Sequence, residues 1–398
     1  LIASAKVSAP PAPRDDGPLG VQRFHRNTFF NYQLNRIYGE GFVPLEEVRE
    51  AASQIRSAQD YVETFLRLAD RVEAQGRLAS AAFCVRAAEF FIDPTSAQRR
   101  AAYDRFADLF ARAFESAPLE RHAVPYGEGV LPAWRLAART PVPTGRVVLF
   151  GGFDSLIEEF YAIWWHLADA GLEVVTFDGP GQGGARMVHG QVFDASCDHD
   201  WERPVGAVLD HFAWDDVTLI GISMGGYWAV RAAGREPRVS RVVAWPPVYD
   251  WLEPLPRFVR PLVHRMVAWR GFMRWSIRLR MRLVAALRHV VPQAMFIQGS
   301  RDPADVPAWF LGMNAEHLGS SRVTQDVLLL AGEDDSFQPP RLMRAQRDAL
   351  DHARSVTCRV FTAAEHAQSH CQMGNLALAS RYVAQWIADT PSREVTGP

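Results

Sequence analysis

The residues that could do chemistry sit in a few short stretches. "GISMGG" places Ser223 between Gly221 and Gly225 in a Gly-x-Ser-x-Gly pattern. It follows a predicted strand, "DVTLI", and opens a predicted helix, "GGYWAVRAAG". That context matches a nucleophile elbow, a turn so tight that glycines must flank the serine. A serine hydroxyl is a weak nucleophile and needs a base. The base needs an acid to hold its tautomer and stabilise its cation. In this arrangement the acid follows a later strand and the histidine comes last. "DVLLLAGEDDSFQPP" offers Asp335, three residues past Gly332, with Glu333 and Asp334 as rival carboxylates and Asp250 as a more distant one. "EHAQSHCQMGN" offers His366 and His370, the second followed by Cys371. An oxyanion needs N–H donors. The backbone of Met224, next to the serine, is one candidate, and Phe153 in "LFGGFDSLIEEF" is the other.

Other readings of these stretches are weaker. The two histidines lack the acidic partner that would complete a helical zinc motif, so no metal is expected. "DGPGQGG" follows a later strand without the spacing of a dinucleotide fingerprint. It reads as a structural turn near the same sheet edge, and no cofactor is expected. Cys371 reads as a small buried neighbour and Trp228 as core.

The elements that must position these groups follow from periodicity. Residues 20–118 are helical in pattern: "LEEVREAASQIRSAQDYVETFLRLADRVEAQG" spaces apolar residues by three and four. Pro94 is placed to start the helix "PTSAQRRAAYDRFADLFARAFE". From 119 onward short apolar strands alternate with helices: "LPAWRLAA", "RVVLF", "LEVVTF", "DVTLIG", "RVVAW", "DVLLLAG" and "SVTCRVF". That alternation predicts an α/β fold with a doubly wound, mostly parallel sheet. About residues 246–322 break it. The run "RFVRPLVHRMVAWRGFMRWSIRLRMRLVAALRHVV" carries nine arginines and no acid. It reads as a helical, lid-type insertion over the sheet's active edge. Residues 1–19, rich in Ala and Pro, read as a flexible tail.

Composition bounds the partners. Net charge is -2 on 398 residues, which gives no footprint for nucleic acid. No apolar run reaches the ~18 residues of a membrane span, so stable membrane insertion is not expected. The cysteines, Cys84, Cys197, Cys358 and Cys371, are scattered, which points to a reducing, cytoplasmic setting. The sequence does not fix the oligomeric state; a homodimer is compatible with it.

Taken together, "GGFDSLIEEF", "DGPGQGG", "GISMGGYWAVRAA" and "EHAQSHCQMGN", behind a helical region holding "FFNYQLNRI", resemble the α/β-hydrolase superfamily. The likeness is to the branch of 2,6-dihydroxypseudooxynicotine hydrolase, fungal pigment-pathway hydrolases that shorten polyketides, and FrsA-like esterases. It covers roughly residues 120–390. In that branch the catalytic histidine precedes a cysteine, which favours His370 over His366. The resemblance implies a serine hydrolase acting on a small-molecule carbonyl substrate. Carbon–carbon cleavage next to a ketone is the leading expectation. An esterase or lactonase with the same triad is an alternative, as is a cyclase or lyase on the same scaffold. It also implies that the N-terminal helices wall the pocket, making Phe29, Phe30, Asn31, Tyr32 and Arg36 candidate substrate contacts. His366 is a further candidate as the histidine not used as base.

Overall fold

The computed structural model describes residues 11–14, 16–193, 200–284 and 286–390. Residues 1–10 and 15 of the expected tail, and Cys197, lie outside the described residues. Five helices come first: α1 (Thr28–Gly39), α2 (Leu45–Gln54), α3 (Ala58–Ala74), α4 (Leu78–Glu89) and α5 (Ala97–Ala113). Their ends follow local chemistry. The Ser57 hydroxyl accepts from the Asp60 N–H at the start of α3, and Asn27 caps α1 through the N–H groups of Phe29 and Phe30. Pro94 does not open α5. Ser96 caps it instead, accepting from the Arg99 N–H, while Asp93 ties up a turn around Thr95.

Among the described residues the sheet has eight strands, in the order β1-β2-β4-β3-β5-β6-β7-β8. They are β1 (Leu119–Tyr126), β2 (Gly129–Leu136), β3 (Gly145–Phe150), β4 (Leu172–Phe177), β5 (Val217–Ile222), β6 (Val239–Trp245), β7 (Asp326–Gly332) and β8 (Ser355–Phe361). β1 and β2 form an antiparallel hairpin, β2 runs antiparallel to β4, and all other pairings are parallel. The strand "LERHAVPY" carries no apolar signal because β1 is an edge strand with mostly solvated side chains. By contrast β4 to β7 are buried along their whole length, as a sheet covered on both faces requires.

The crossovers are α6 (Tyr161–Asp169), α7 (Gly183–Met187), α8 (Glu202–Phe212) and α9 (Gly225–Ala233). Among the described residues, five helices lie between β6 and β7: α10 (Arg260–Ala268), α11 (Arg270–Leu283), α12 (Leu287–Gln298), α13 (Asp305–Gly312) and α14 (Ala315–Leu318). α15 (Pro340–Asp348) and α16 (Leu376–Asp389) complete the chain. No described helix is long and apolar enough to cross a membrane.

The N-terminal helices share one apolar core with a face of the sheet. Phe42, Phe83, Phe110 and Phe114 pack with Tyr161 and Trp164 of α6. The Phe114 and Tyr161 rings lie 4.0 Å apart between centroids. Part of the segment expected as a tail also packs here. The Arg14 N–H donates to the Gly41 carbonyl at 3.1 Å, and the Tyr38 hydroxyl donates to the Pro18 carbonyl at 3.2 Å.

A buried ion-pair chain crosses the same interface. Arg86 of α4, 1% exposed, donates to Glu159 at 2.7 Å, to the Asp154 carbonyl at 2.7 Å, and to Glu89. Arg36 of α1 pairs with Asp154 at 3.2 Å and with Glu159, and Arg99 of α5 pairs with Glu89. Burial alone would disfavour charge on Asp154, but Arg36 and Arg86 outweigh it and hold the carboxyl below its usual range. Removing one partner from such a set leaves a buried charge uncompensated. Arg86→Leu is therefore expected to cost about 3–5 kcal/mol of stability, read as a lowered midpoint in urea unfolding.

Candidate active site

Ser223 follows β5 and precedes α9, and its backbone is left-handed, φ 57°. That conformation costs a non-glycine residue on the order of 1–3 kcal/mol and clusters at functional sites. The surroundings enforce it. A Cβ at Gly221 would lie 2.0 Å from the Gly225 carbonyl oxygen, and one at Gly225 would lie 2.7 Å from that of Gly151. The Ser223 N–H donates to the Trp245 carbonyl at 2.6 Å, tying the turn to the neighbouring strand.

His370 comes from the loop after β8. Its Nε2 lies 2.9 Å from Ser223 Oγ, and its Nδ1 lies 2.8 Å from Asp335 Oδ2. With Nδ1–H donated to the carboxylate, Nε2 of the neutral ring accepts a hydrogen bond from the Ser223 hydroxyl. Asp335 is itself fixed: its Oδ1 accepts from the N–H groups of Phe337 and Gln338, both at 2.8 Å. The other carboxylates have different work. Glu333 and Asp334 are exposed, and the Glu333 side chain accepts from the Ala363 N–H. Asp250 accepts from Leu252 at 2.7 Å and from Ala315 at 3.3 Å, anchoring the insertion.

Burial opposes charge on His370, yet Cys371 and Asp335 beside it prevail and its pKa is pushed up to about 10. The imidazolium is thus strongly favoured, and the neutral ring able to accept a proton gains population only as pH rises. Both ring nitrogens have a side-chain partner. Cys371 follows with φ 54° and its thiol 3.8 Å from the Trp245 carbonyl.

Beside the serine, the Gly152 N–H is taken by Ser155 Oγ at 2.9 Å. Among the described residues no hydrogen bond occupies the N–H of Met224 or of Phe153. Both residues line the same cavity as Ser223.

That cavity has a volume of about 460 Å³. Three parts of the chain enclose it. α1 contributes Phe29, Tyr32 and Arg36, the insertion Trp251, His289 and Phe310, and the strand-end loops Phe153, Ser223, Phe337 and His370, with further residues from the ends of other helices. Burial and the neighbouring Cys371 raise the Tyr32 phenol well above its ordinary pKa, so it stays a neutral donor. Burial pushes His289 down to about 4, and its ring stacks on Phe90 at 4.1 Å.

Three residues expected as substrate contacts do not line the cavity. Phe30 packs into an aromatic cluster, 5.9 Å from Tyr61 and 5.4 Å from Phe91. Asn31 uses its side chain to accept from the N–H groups of Phe24 and His25 at 2.8 and 2.9 Å, fastening the approach to α1. His366 is exposed and sits against Gly20 with φ 60°. On a helix, residues one position apart face different ways, so neighbours in "FFNYQLNR" divide between cavity and core. Sequence reasoning missed Phe337, whose ring lies 5.1 Å from that of His370 and 5.4 Å from that of Tyr32. A single aromatic in a polar loop carries no periodic signal. Its place two residues after Asp335 was the available clue. Trp228 is core, stacked on Trp201 at 4.2 Å.

The parallel sheet, the left-handed serine turn and the late histidine define the α/β-hydrolase fold. The chain belongs to the serine aminopeptidase S33 family, which it matches over residues 141–369. Among its relatives, hydrolase ORFZ of Pyricularia oryzae is 25% identical, covering 92% of this chain and 97% of that protein. The 2,6-dihydropseudooxynicotine hydrolase of Paenarthrobacter nicotinovorans is 30% identical over 177 residues, 42% of this chain and 46% of that protein. The crystal structure of 2,6-dihydroxy-pseudo-oxynicotine hydrolase shares the fold at TM-score 0.62 and 20% identity, covering 89% of this chain and 95% of that one. AbyA5 does so at 0.61 and 20%, covering 86% of this chain and 90% of its own. The protein is thus an α/β-fold hydrolase.

The His370–Asp335 contact has a measurable signature. By NMR, His370 should titrate well above the histidine norm, near pH 10. Asp335→Asn should move it down. A raised folded-state pKa contributes stability that is full below the unfolded value of about 6.5 and fades as pH rises through the folded one. The stability deficit of Asp335→Asn should therefore shrink across that window.

Proposed function

We propose that the protein is a serine hydrolase that cleaves a carbon–carbon bond next to a ketone in an apolar or aromatic small molecule. The observation that carries this reading is the chain Ser223 Oγ to His370 Nε2 to Asp335, at 2.9 and 2.8 Å, opening into a largely apolar cavity.

Ser223 Oγ attacks the ketone carbon while its proton passes to His370 Nε2. Asp335 holds the ring and stabilises the imidazolium. The N–H groups of Met224 and Phe153 receive the oxyanion. When the tetrahedral species collapses, the C–C bond breaks and its electron pair leaves as an enolate or aryl carbanion. His370 Nε2–H protonates that carbon. Water then attacks the acyl-enzyme, giving up its proton to His370, and a carboxylic acid leaves with Ser223 restored. A carbanion is a poor leaving group unless its charge is delocalised onto oxygen. Tyr32, kept neutral as a donor, and the Arg36 guanidinium both line the cavity and suit such an oxygen. Relatives named as hydrolases, one of pseudooxynicotine, fit a substrate of this size and polarity. Ester or lactone hydrolysis uses the same groups with an easier leaving group.

The test is a mass-spectrometric product screen in ¹⁸O-water against aryl 1,3-diketones, esters and lactones. A diketone split into a ketone and a singly labelled acid is the expected result. Turnover of esters alone would replace the proposal with an esterase. Ser223→Ala and His370→Ala should each lower kcat by about 10⁶-fold, with loss of fluorophosphonate labelling in the former. His366→Ala should stay within a few-fold of the unsubstituted enzyme. Turnover retained by Ser223→Ala would sink the acyl-enzyme route.

A further inference from the structure

The motif "DGPGQGG" does more than turn the chain. Gln182 is 4% exposed and lies behind the loop that carries Phe153. Its Nε2 donates to the Gly152 carbonyl at 2.7 Å and to the Gly151 carbonyl at 3.0 Å. Its Oε1 accepts from the Gly179 N–H at 3.0 Å. Two carbonyls on one side and an N–H on the other leave only one orientation for the amide.

The Gly152 carbonyl belongs to the same peptide unit as the Phe153 N–H. In a planar trans peptide the two point in opposite directions. A donor fixed behind the carbonyl therefore aims the N–H forward, away from Gln182. This peptide lies directly against the serine turn: a Cβ at Gly152 would meet Met224 N at 2.8 Å and Ser223 Cβ at 3.0 Å. A hydrogen bond accepted by the carbonyl also polarises the unit and strengthens its N–H as a donor.

Gln182 is held in turn by the motif around it. Gly181 has φ 82°, a conformation that favours glycine. Asp178 closes the turn by accepting from the N–H groups of Gly184 at 2.8 Å and Ile157 at 3.2 Å. The second of these ties the motif to the far end of the Phe153 loop.

We infer that Gln182 is a positioning residue for the oxyanion site: through the Gly152 carbonyl it aims and polarises the Phe153 N–H that receives the developing negative charge. The inference rests on the acyl-enzyme reading of Ser223.

The test compares Gln182→Met and Gln182→Glu with the unsubstituted enzyme, using p-nitrophenyl butyrate as substrate and an aryl trifluoromethyl ketone as oxyanion-forming inhibitor. Losing a whole oxyanion donor costs about 10²–10³ in kcat. Misaiming one should cost roughly 10- to 100-fold by the same measure. KM should change little, and the inhibitor should weaken by the same factor as kcat. Gln182→Glu adds a readout that a purely structural role would not move. A protonated carboxyl can still donate to one carbonyl, whereas a carboxylate repels both. Its kcat relative to the unsubstituted enzyme should therefore fall as pH rises. Wild-type kcat and inhibitor affinity in folded Gln182→Met would overturn the inference. So would a pH-independent ratio for Gln182→Glu, which stands as the deciding measurement if Gln182→Met does not fold. The acyl-enzyme reading fails separately, if Ser223→Ala keeps its turnover of the ester.

Discussion

The close approach of backbones around Ser223 is the constraint on which the rest of the site depends. β5 must stop, reverse into α9 and leave one side chain at the turn's apex with φ 57°. That is possible only where no side chain stands in the way. Gly221 faces the Gly225 carbonyl, Gly225 faces that of Gly151, and Gly226 faces that of Pro246 at 2.1 Å from a notional Cβ. Three strand-end segments therefore meet with nothing between them but backbone. The same crowding sets the N–H groups of Met224 and Phe153 beside the hydroxyl. Strain at the serine and placement of these two N–H groups share one origin.

The N-terminal helices are joined to this turn by charge as well as by packing. Arg36 and Arg86 reach across the interface to Asp154 and Glu159, which flank the Phe153 loop. Buried pairs of this kind are weak sources of net stability, because desolvation offsets most of their attraction. Their value lies in geometry: a displaced loop would leave several buried charges unmatched. α1 contributes both to this network and to the cavity wall, through Arg36 and through Phe29 and Tyr32. Pocket shape and loop position are thereby set by one element.

The insertion closes the cavity from the other side. Trp251, His289 and Phe310 line it, and the Phe310 ring lies tilted against that of Phe153, 5.7 Å between centroids. Its arginines divide by place. Arg270 and Arg274 pair with Asp302, the first acid after the cationic run, while Arg260 pairs with Glu253, the last one before it. The acids at the two ends of the run therefore pin its helices to their own bases. Among the described residues, three of the nine arginines are thus ion-paired within the insertion.

The sequence by itself determined the parallel sheet, the serine elbow and the order of acid and histidine. Each is a local pattern with a steric or periodic cause: glycines where backbones touch, and apolar runs where both faces of a strand are covered. It could not reveal β1, because an edge strand needs no apolar alternation. It could not sort Phe29 and Tyr32 from Phe30 and Asn31, because which face of α1 meets the cavity depends on what packs against the other. It favoured His370 over His366 only through the family resemblance, since the two lie four residues apart with equal chemical credentials. The tertiary structure gives the physical reason: the loop after β8 turns His370 inward, between Asp335 and Ser223, and leaves His366 in solvent. A histidine's role is set by what its two nitrogens meet, and those partners lie 35 and 147 residues away in the chain.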